Sequence, residues 1–363
     1  MRIAEWSLHF YRLPYSRPVR WFNSVEDGAV FILLKIVTSD GSVGVAEASI
    51  KPTWSGVSPR SIAAVLEDLL LPAAQDVDAT DTAAVSQKLA LFPENYLAKM
   101  LVDDACWTLR ATVVREPLWR LLKGGETVEV SWCVTRQPPD EMAREAAEIT
   151  GRHGFRALKI KGGQGMEMDL SALRKIRAAV GSAVEFYVDA NSAYSRAEAA
   201  EYIRAIAGEG AKIAEDPCQL HPDSQLAELL AASPIPVLVD SNCASLKDAA
   251  QFVERGATAL SVKPGRIGIS EARRIADLAA QKGANVCSGM YAESALGTLI
   301  SLQLSCALRG PLVPAEQSFY LMMRDQVLRE PLHIRDGRVR LPAVNDISAL
   351  IDWDRVGHYA FQP

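Results

Sequence analysis

Ala157-Leu-Lys-Ile-Lys161 carries two lysines two residues apart. On a strand, that alternation puts Lys159 and Lys161 on the same face. Two ammonium groups that close repel each other, and a site poor in water disfavours their charge further. Both effects pull a lysine pKa toward neutrality, where the amine acts as a base. Four more charged residues follow, each ending an apolar run: Asp189 in Val188-Asp-Ala-Asn191, Glu215 in Ala214-Glu-Asp-Pro217, Asp240 in Val239-Asp-Ser-Asn242 and Lys263 in Val262-Lys-Pro-Gly265. From Asp189 onward they recur roughly every 25 residues, about one βα unit. A lone KxK is an ordinary solvent-facing strand, but six charges in this order point to one constellation.

Three carboxylates from neighbouring strands can converge on one hard cation. Oxygen ligands without His or Cys select Mg²⁺, with Mn²⁺ as the alternative, over zinc. The lysines of the second and sixth strands would then lie on opposite sides of a substrate bound across a barrel mouth. This arrangement suits removal of the proton α to a carboxylate. The resulting enediolate carries two negative charges, which a divalent cation stabilises while a lysine takes or returns the proton.

Such residues need strands to end together. From Val128 the pattern predicts strands at 128–134, 155–161, 184–190, 212–216, 236–240, 258–263, 284–288 and 312–316, with amphipathic helices between them. Eight short apolar strands alternating with helices indicate an α/β closed barrel with its chemistry at the C-terminal strand ends. No GxGxxG follows the first strand, which argues against a dinucleotide fold. Upstream, Ala29–Val37 and Val43–Ala48 flank a Ser39-Asp-Gly-Ser42 turn and read as a hairpin. Residues 60–123 are helical. After Phe319, Pro331–Leu341 reads as a second hairpin around Asp336-Gly337, expected to pack back on the N-terminal domain. The chain therefore divides into a domain at 1–125, a barrel at 126–322 and a returning tail at 323–363.

The 363 residues exceed what one core serves unless it is a barrel. A net charge of -5 gives no encouragement to a nucleic-acid or membrane-surface partner. The six cysteines form no CxxC or Cys/His cluster, as expected of reduced thiols in a cytoplasmic protein. Neither a signal core nor a spanning apolar run is evident.

With these motifs in place, the chain resembles the enolase superfamily, and within it the muconate lactonizing enzyme subgroup of the mandelate racemase/muconate lactonizing enzyme family. The matches are Lys159–Lys161, Asp189-Ala-Asn191, Glu215-Asp-Pro217, Asp240, Lys263, Gly289-Met-Tyr-Ala-Glu-Ser294 and the link Leu121-Leu-Lys-Gly-Gly125. The resemblance implies a modified TIM barrel, (β/α)₇β, whose first strand is often antiparallel, under an α+β capping domain built from both chain ends. It implies that Asp189, Glu215 and Asp240 bind Mg²⁺, that Lys161 and Lys263 form the acid/base pair, and that Lys159 tunes Lys161. Mandelate-racemase-like members place a catalytic His after the seventh strand. Here that position reads Ser288-Gly-Met-Tyr291, so the His-dependent branch is not expected.

The chain departs from the family at Asp216 and Ser241, where Gln and Glu are usual. Asp216 and Asn191 are then expected to orient the metal ligands. Glu293 reads either as an electrostatic contact to substrate or as a helix N-terminal carboxylate. The loops Arg17-Pro-Val-Arg-Trp-Phe22 and Lys51-Pro-Thr-Trp-Ser-Gly56 suit a second anionic or flat unsaturated group, with Arg20, Trp54, Tyr291 and Glu316 as further substrate contacts. Val313-Pro-Ala-Glu-Gln-Ser318 lacks the DxD that the resemblance requires for a dipeptide epimerase. The tail follows the muconate cycloisomerase pattern until Ala343-Val-Asn-Asp346. The expected activity is cycloisomerase-like, on a small dicarboxylate. N-acyl amino-acid racemase/epimerase and o-succinylbenzoate synthase-type dehydratase chemistry are the alternatives, and a catalytically inactive enolase-like scaffold is the remote one, against which all three carboxylates and both lysines stand. A homo-oligomer is the expected assembly.

Overall fold

The computed structural model describes residues Met1–Pro363. Three antiparallel strands come first: β1 (Ile3–Arg20), β2 (Val25–Thr38) and β3 (Val43–Ile50). Alternation along β2 sends Phe31 and Leu33 into the core shared with the rest of the molecule. Ile32, Leu34 and Ile36 go to a second core beneath the helices that follow. Both faces of the sheet are thus covered, the second largely by helix Tyr96–Val114. The approach is closest at Gly44, where a Cβ would lie 2.2 Å from Ala105 O and 2.7 Å from Leu109 Cβ. Gly44→Ala is expected to lower unfolding stability by about 1–3 kcal/mol. An unchanged urea midpoint would contradict this packing.

A parallel barrel follows. Strands β5 (Trp132–Val134), β6 (Ala157–Lys161), β7 (Glu185–Asp189), β8 (Ala211–Glu215) and β9 (Val237–Leu238) pair in chain order, as do β10 (Ala259–Val262) and β11 (Asn285–Ser288). A parallel bridge between Val239 and Leu260 joins the two groups. Seven long helices intervene, from Pro139–His153 to Ala295–Ser305, with the one-turn helix Pro264–Ile267 besides, so the chain folds as (β/α)₇β. The eighth strand does not form a regular ladder. Residues 312–316 still close the barrel, through Leu312 N to Val286 O and Glu316 N to Ser288 O on one side. Ala315 N to Glu129 O and Ser131 N to Ala315 O do so on the other. Tyr187, Ile213, Leu238, Ala259, Cys287 and Val313 fill its centre.

Three expectations are corrected. The barrel pairs are all parallel, including β5 with β6 and Val130 with Ala315, so there is no antiparallel first strand. The single strand expected at 128–134 is two, β4 (Thr127–Glu129) and β5. The backbone changes partners between them: β4 belongs to the tail hairpin, whereas Ser131 already bonds to the barrel. That hairpin, β12 (Ile334–Arg335) and β13 (Arg338–Arg340), turns on Asp336 and Gly337, both at positive φ, as an Asp-Gly turn requires. It adds to β4 rather than to the capping sheet, and the residues flanking it reach the capping sheet instead. Arg324 N bonds Pro14 O, Arg12 N bonds Tyr359 O and Phe361 N bonds Phe10 O, all along β1.

Candidate active site

The register of the barrel brings the charged strand ends level. Lys161 is paired with Asp189, and Asp189 with Glu215. Along β6, Leu158 and Ile160 pack outward among the helices, while Lys159 and Lys161 face the carboxylates of the barrel mouth. Lys161 Nζ is 2.6 Å from Asp189 Oδ2, and Lys159 Nζ approaches the same oxygen at 3.2 Å. Lys159 also donates to Glu215 Oε1 at 2.7 Å and to Glu316 Oε1 at 3.0 Å. Across the mouth, Lys263 Nζ lies 2.6 Å from Asp240 Oδ2.

For Lys159 the expected loss of basicity is not what this arrangement gives. Burial lowers the pKa of Lys159, but Glu215, Glu316 and Asp189 more than reverse it and leave the ammonium well above its ordinary range. Lys263 behaves the same way, burial being outweighed by Asp240. Carboxylates dominate the surroundings of these lysines, so attraction to them exceeds repulsion between ammonium groups. The carboxylates divide among themselves. Burial and the neighbouring Asp189 push Glu215 well up. Asp189, also penalised by burial, is held far below the usual carboxylate range by Lys161 and Lys159.

Asp189, Glu215 and Asp240 are all buried, and one oxygen from each lies within 4.8 Å of the others. Lys159 Nζ is 2.7 Å from Glu215 Oε2, yet that oxygen accepts no bond of acceptable geometry, and neither does Asp240 Oδ1. Two buried anionic oxygens without donors, in an all-oxygen set, fit a hard divalent cation. Asn191 supports the cluster, giving Asp189 its backbone N–H at 2.8 Å and its side-chain N–H at 3.1 Å. Asp216, at positive φ, accepts from Asp240 N at 3.0 Å and Ser241 N at 2.8 Å. Its carboxylate holds the backbone that carries Asp240, while burial pushes its pKa up to about 6.

Above the cluster lies a cavity of about 350 Å³ whose lining includes Lys159, Lys161, Asp240 and Lys263. Trp54 and Tyr291 form part of its wall, ring centres 5.3 Å apart and edge-on, with Trp21 set 5.0 Å from Trp54. The other expected substrate contacts are not there. Arg20 is exposed near the end of β1 and does not line the cavity. Glu316 lies inside the barrel, where it accepts from Lys159, the Tyr187 hydroxyl and Met290 N. Glu293 is buried behind the wall. The loop cations are occupied as well. Arg17 pairs with Glu145, and Lys51 with Glu26 beneath the rings of Tyr15, Trp21 and Trp54. The cation that does line the cavity is Arg266, in the one-turn helix after Lys263. Its position three residues beyond a strand-end lysine was the available signal. Glu47 was also missed; it is buried and accepts from Ser294 and Gly297 at the start of helix Ala295–Ser305.

Residues 141–353 match the family profile described as enolase C-terminal domain-like. Residues 10–123 match the N-terminal domain of mandelate racemase/muconate lactonizing enzyme. The L-Ala-D/L-Glu epimerase of Clostridium acetobutylicum is 30% identical over 302 residues, covering 82% of this chain and 83% of that protein. Muconate cycloisomerase 1 of Rhodococcus opacus is 24% identical over 95% of this chain and 94% of its own. Among solved structures, the muconate lactonizing enzyme of Mycobacterium smegmatis complexed with muconolactone superimposes with a TM-score of 0.94 at 28% identity, covering 100% of both chains.

Proposed function

The chain belongs to the enolase superfamily, in its mandelate racemase/muconate lactonizing enzyme family, and from that premise we propose that it moves the proton α to a carboxylate through an enediolate, as a cycloisomerase-like enzyme on a small dicarboxylate. The observation that carries this reading is the placement of Lys161 and Lys263 on two sides of one acidic cluster at the cavity floor. Asp189, Glu215 and Asp240 would hold Mg²⁺, or Mn²⁺ in its place. When bound, the cation supplies the positive charge that stabilises an enediolate.

The chain's own residues do the rest. Asp189 and Asp240, which here pair with Lys161 and Lys263, would hold the cation instead, and the two lysines are placed to exchange protons with an α-carbon between them. One lysine takes the proton and the other is placed to return it on the opposite face. Lys159, held by Glu215 and Glu316, stays charged and sets the field in which Lys161 works. Trp54 and Tyr291 give the cavity an aromatic wall suited to an unsaturated chain, which supports a muconate-like substrate. The two-sided lysines equally suit racemisation or epimerisation, and the 30% identity to a dipeptide epimerase supports that chemistry as the second reading, on an N-acyl amino acid rather than a dipeptide because residues 313–318 lack the DxD.

The free cysteines, five buried and one partly so, fit a reducing compartment, so we place the enzyme in the cytoplasm. No helix is long and apolar enough to cross a membrane.

The test is deuterium incorporation at the α-carbon in D₂O, followed by NMR across muconates, N-acyl amino acids and dipeptides. Exchange in one class identifies the substrate even where net turnover is slow. Absence of exchange in all three would sink the proposal.

A further inference from the structure

Behind the cavity wall, one buried carboxylate touches both sides of the site. Glu293 is 1% exposed. Its Oε2 accepts from Tyr291 N at 2.8 Å, and its Oε1 from Ser301 Oγ at 3.4 Å. The same carboxylate presses on the turn that follows Lys263: a Cβ on Gly265 would lie 2.3 Å from Glu293 Oε1. At the other end of the loop, a Cβ on Gly289 would lie 2.9 Å from Lys263 Cε and 3.0 Å from its Cγ. The lysine stem therefore runs over bare backbone at Gly289. Segment Gly289–Glu293 grips turn Lys263–Gly265 at two points, and each contact exists because one partner is glycine. Glu47 anchors the far side of this loop to β3 by accepting from Ser294 Oγ at 2.6 Å, Ser294 N at 3.3 Å and Gly297 N at 3.2 Å.

We propose that Glu293 is a positioning residue for Lys263, holding the lysine stem against Gly289, and is not a substrate contact. The reading rests on the two-lysine function above. Burial raises the Glu293 pKa to about 7, with backbone N–H groups and Lys263 opposing it. An isosteric amide is accordingly a mild replacement: its one oxygen accepts from Tyr291 N, and its N–H₂ donates to Ser301 Oγ, whose hydroxyl can turn to accept.

The decisive comparison is between Mg²⁺-loaded crystals of Glu293→Ala, Glu293→Gln and the parent protein. Glu293→Ala is expected to move the Lys263 stem off Gly289 by about 1 Å, a misplacement that costs about 10²-fold in rate. Lys161 should stay where it is, and Glu293→Gln should leave both lysines in place. The second readout is α-exchange in D₂O from each enantiomer of an N-succinyl amino acid. Glu293→Ala is expected to lose exchange on the face served by Lys263 and to keep it on the face served by Lys161, with Glu293→Gln restoring both.

An unmoved Lys263 in Glu293→Ala, or equal loss on both faces, would overturn the proposal. Should Glu293→Ala not fold, Gly265→Ala pushes a methyl into the same contact from the opposite side. It should show the same one-sided loss, and an even loss would again overturn the idea. Failure of the parent reading looks different: Lys263→Ala would itself leave both faces exchanging. The crystals still decide the role of Glu293 in that event.

Discussion

Replacing Lys161 or Lys263 with alanine is expected to lower kcat by about 10²–10⁴-fold, the range an acid/base group contributes, and to leave the fold and metal binding in place. The two variants are not expected to be equally stable without metal. After Lys161→Ala, Asp189 keeps Lys159 at 3.2 Å and both N–H groups of Asn191. After Lys263→Ala, Asp240 loses its ammonium partner at 2.6 Å, and its other oxygen already has no donor. Breaking one side of a buried ion pair costs about 3–5 kcal/mol when nothing replaces it. Lys263→Ala should therefore melt lower than Lys161→Ala in chelator, and Mg²⁺ should narrow the gap. Steady-state rates alongside thermal melts, with and without Mg²⁺, check both parts. Near-parental turnover in either variant would end the two-base reading.

Removal of divalent cations is the second large effect. Exhaustive EDTA treatment should abolish turnover, and Mg²⁺, or Mn²⁺ more weakly, should restore it. Three buried carboxylates with oxygens within 4.8 Å of one another repel strongly in a medium of low effective dielectric. Burial first, and then Asp189, still drive Glu215 well above its ordinary pKa despite the opposing Lys159. Asp189→Asn, Glu215→Gln and Asp240→Asn should each weaken Mg²⁺ binding in calorimetric titration, a measurement independent of activity. Full turnover by protein shown to be metal-free would refute the assignment.

The elements of this site were readable from sequence where their logic is local. Strand alternation gives Lys159 and Lys161 a common face, and parallel register brings Asp189 and Glu215 level with Lys161. What could not be read depends on partners far along the chain. Glu316 meets Lys159 across 157 positions, and Glu47 meets Ser294 across 247. Neither contact has a spacing that a periodic pattern could reveal. The Lys159 pKa escapes the sequence for a related reason: spacing shows only the neighbouring ammonium group, whereas the fold surrounds Lys159 with Glu215, Glu316 and Asp189. Lys51 and Arg17 looked like cations for a substrate because their partners, Glu26 and Glu145, come together only in three dimensions. The ragged closing segment at 312–316 reads as a strand by composition, but it bonds at isolated points on both sides.

The residues around 323 and 359–361 lie along β1, the outer strand of its sheet. An uncovered edge of this kind invites pairing with another chain, and here residues that follow the barrel bond to it between Phe10 and Tyr15. During synthesis β1 emerges early, but its cover emerges after the whole barrel. A chain that has made β1 and the barrel but not residues 359–361 therefore carries part of that edge bare, and those residues act as a seal whose arrival ends the exposure.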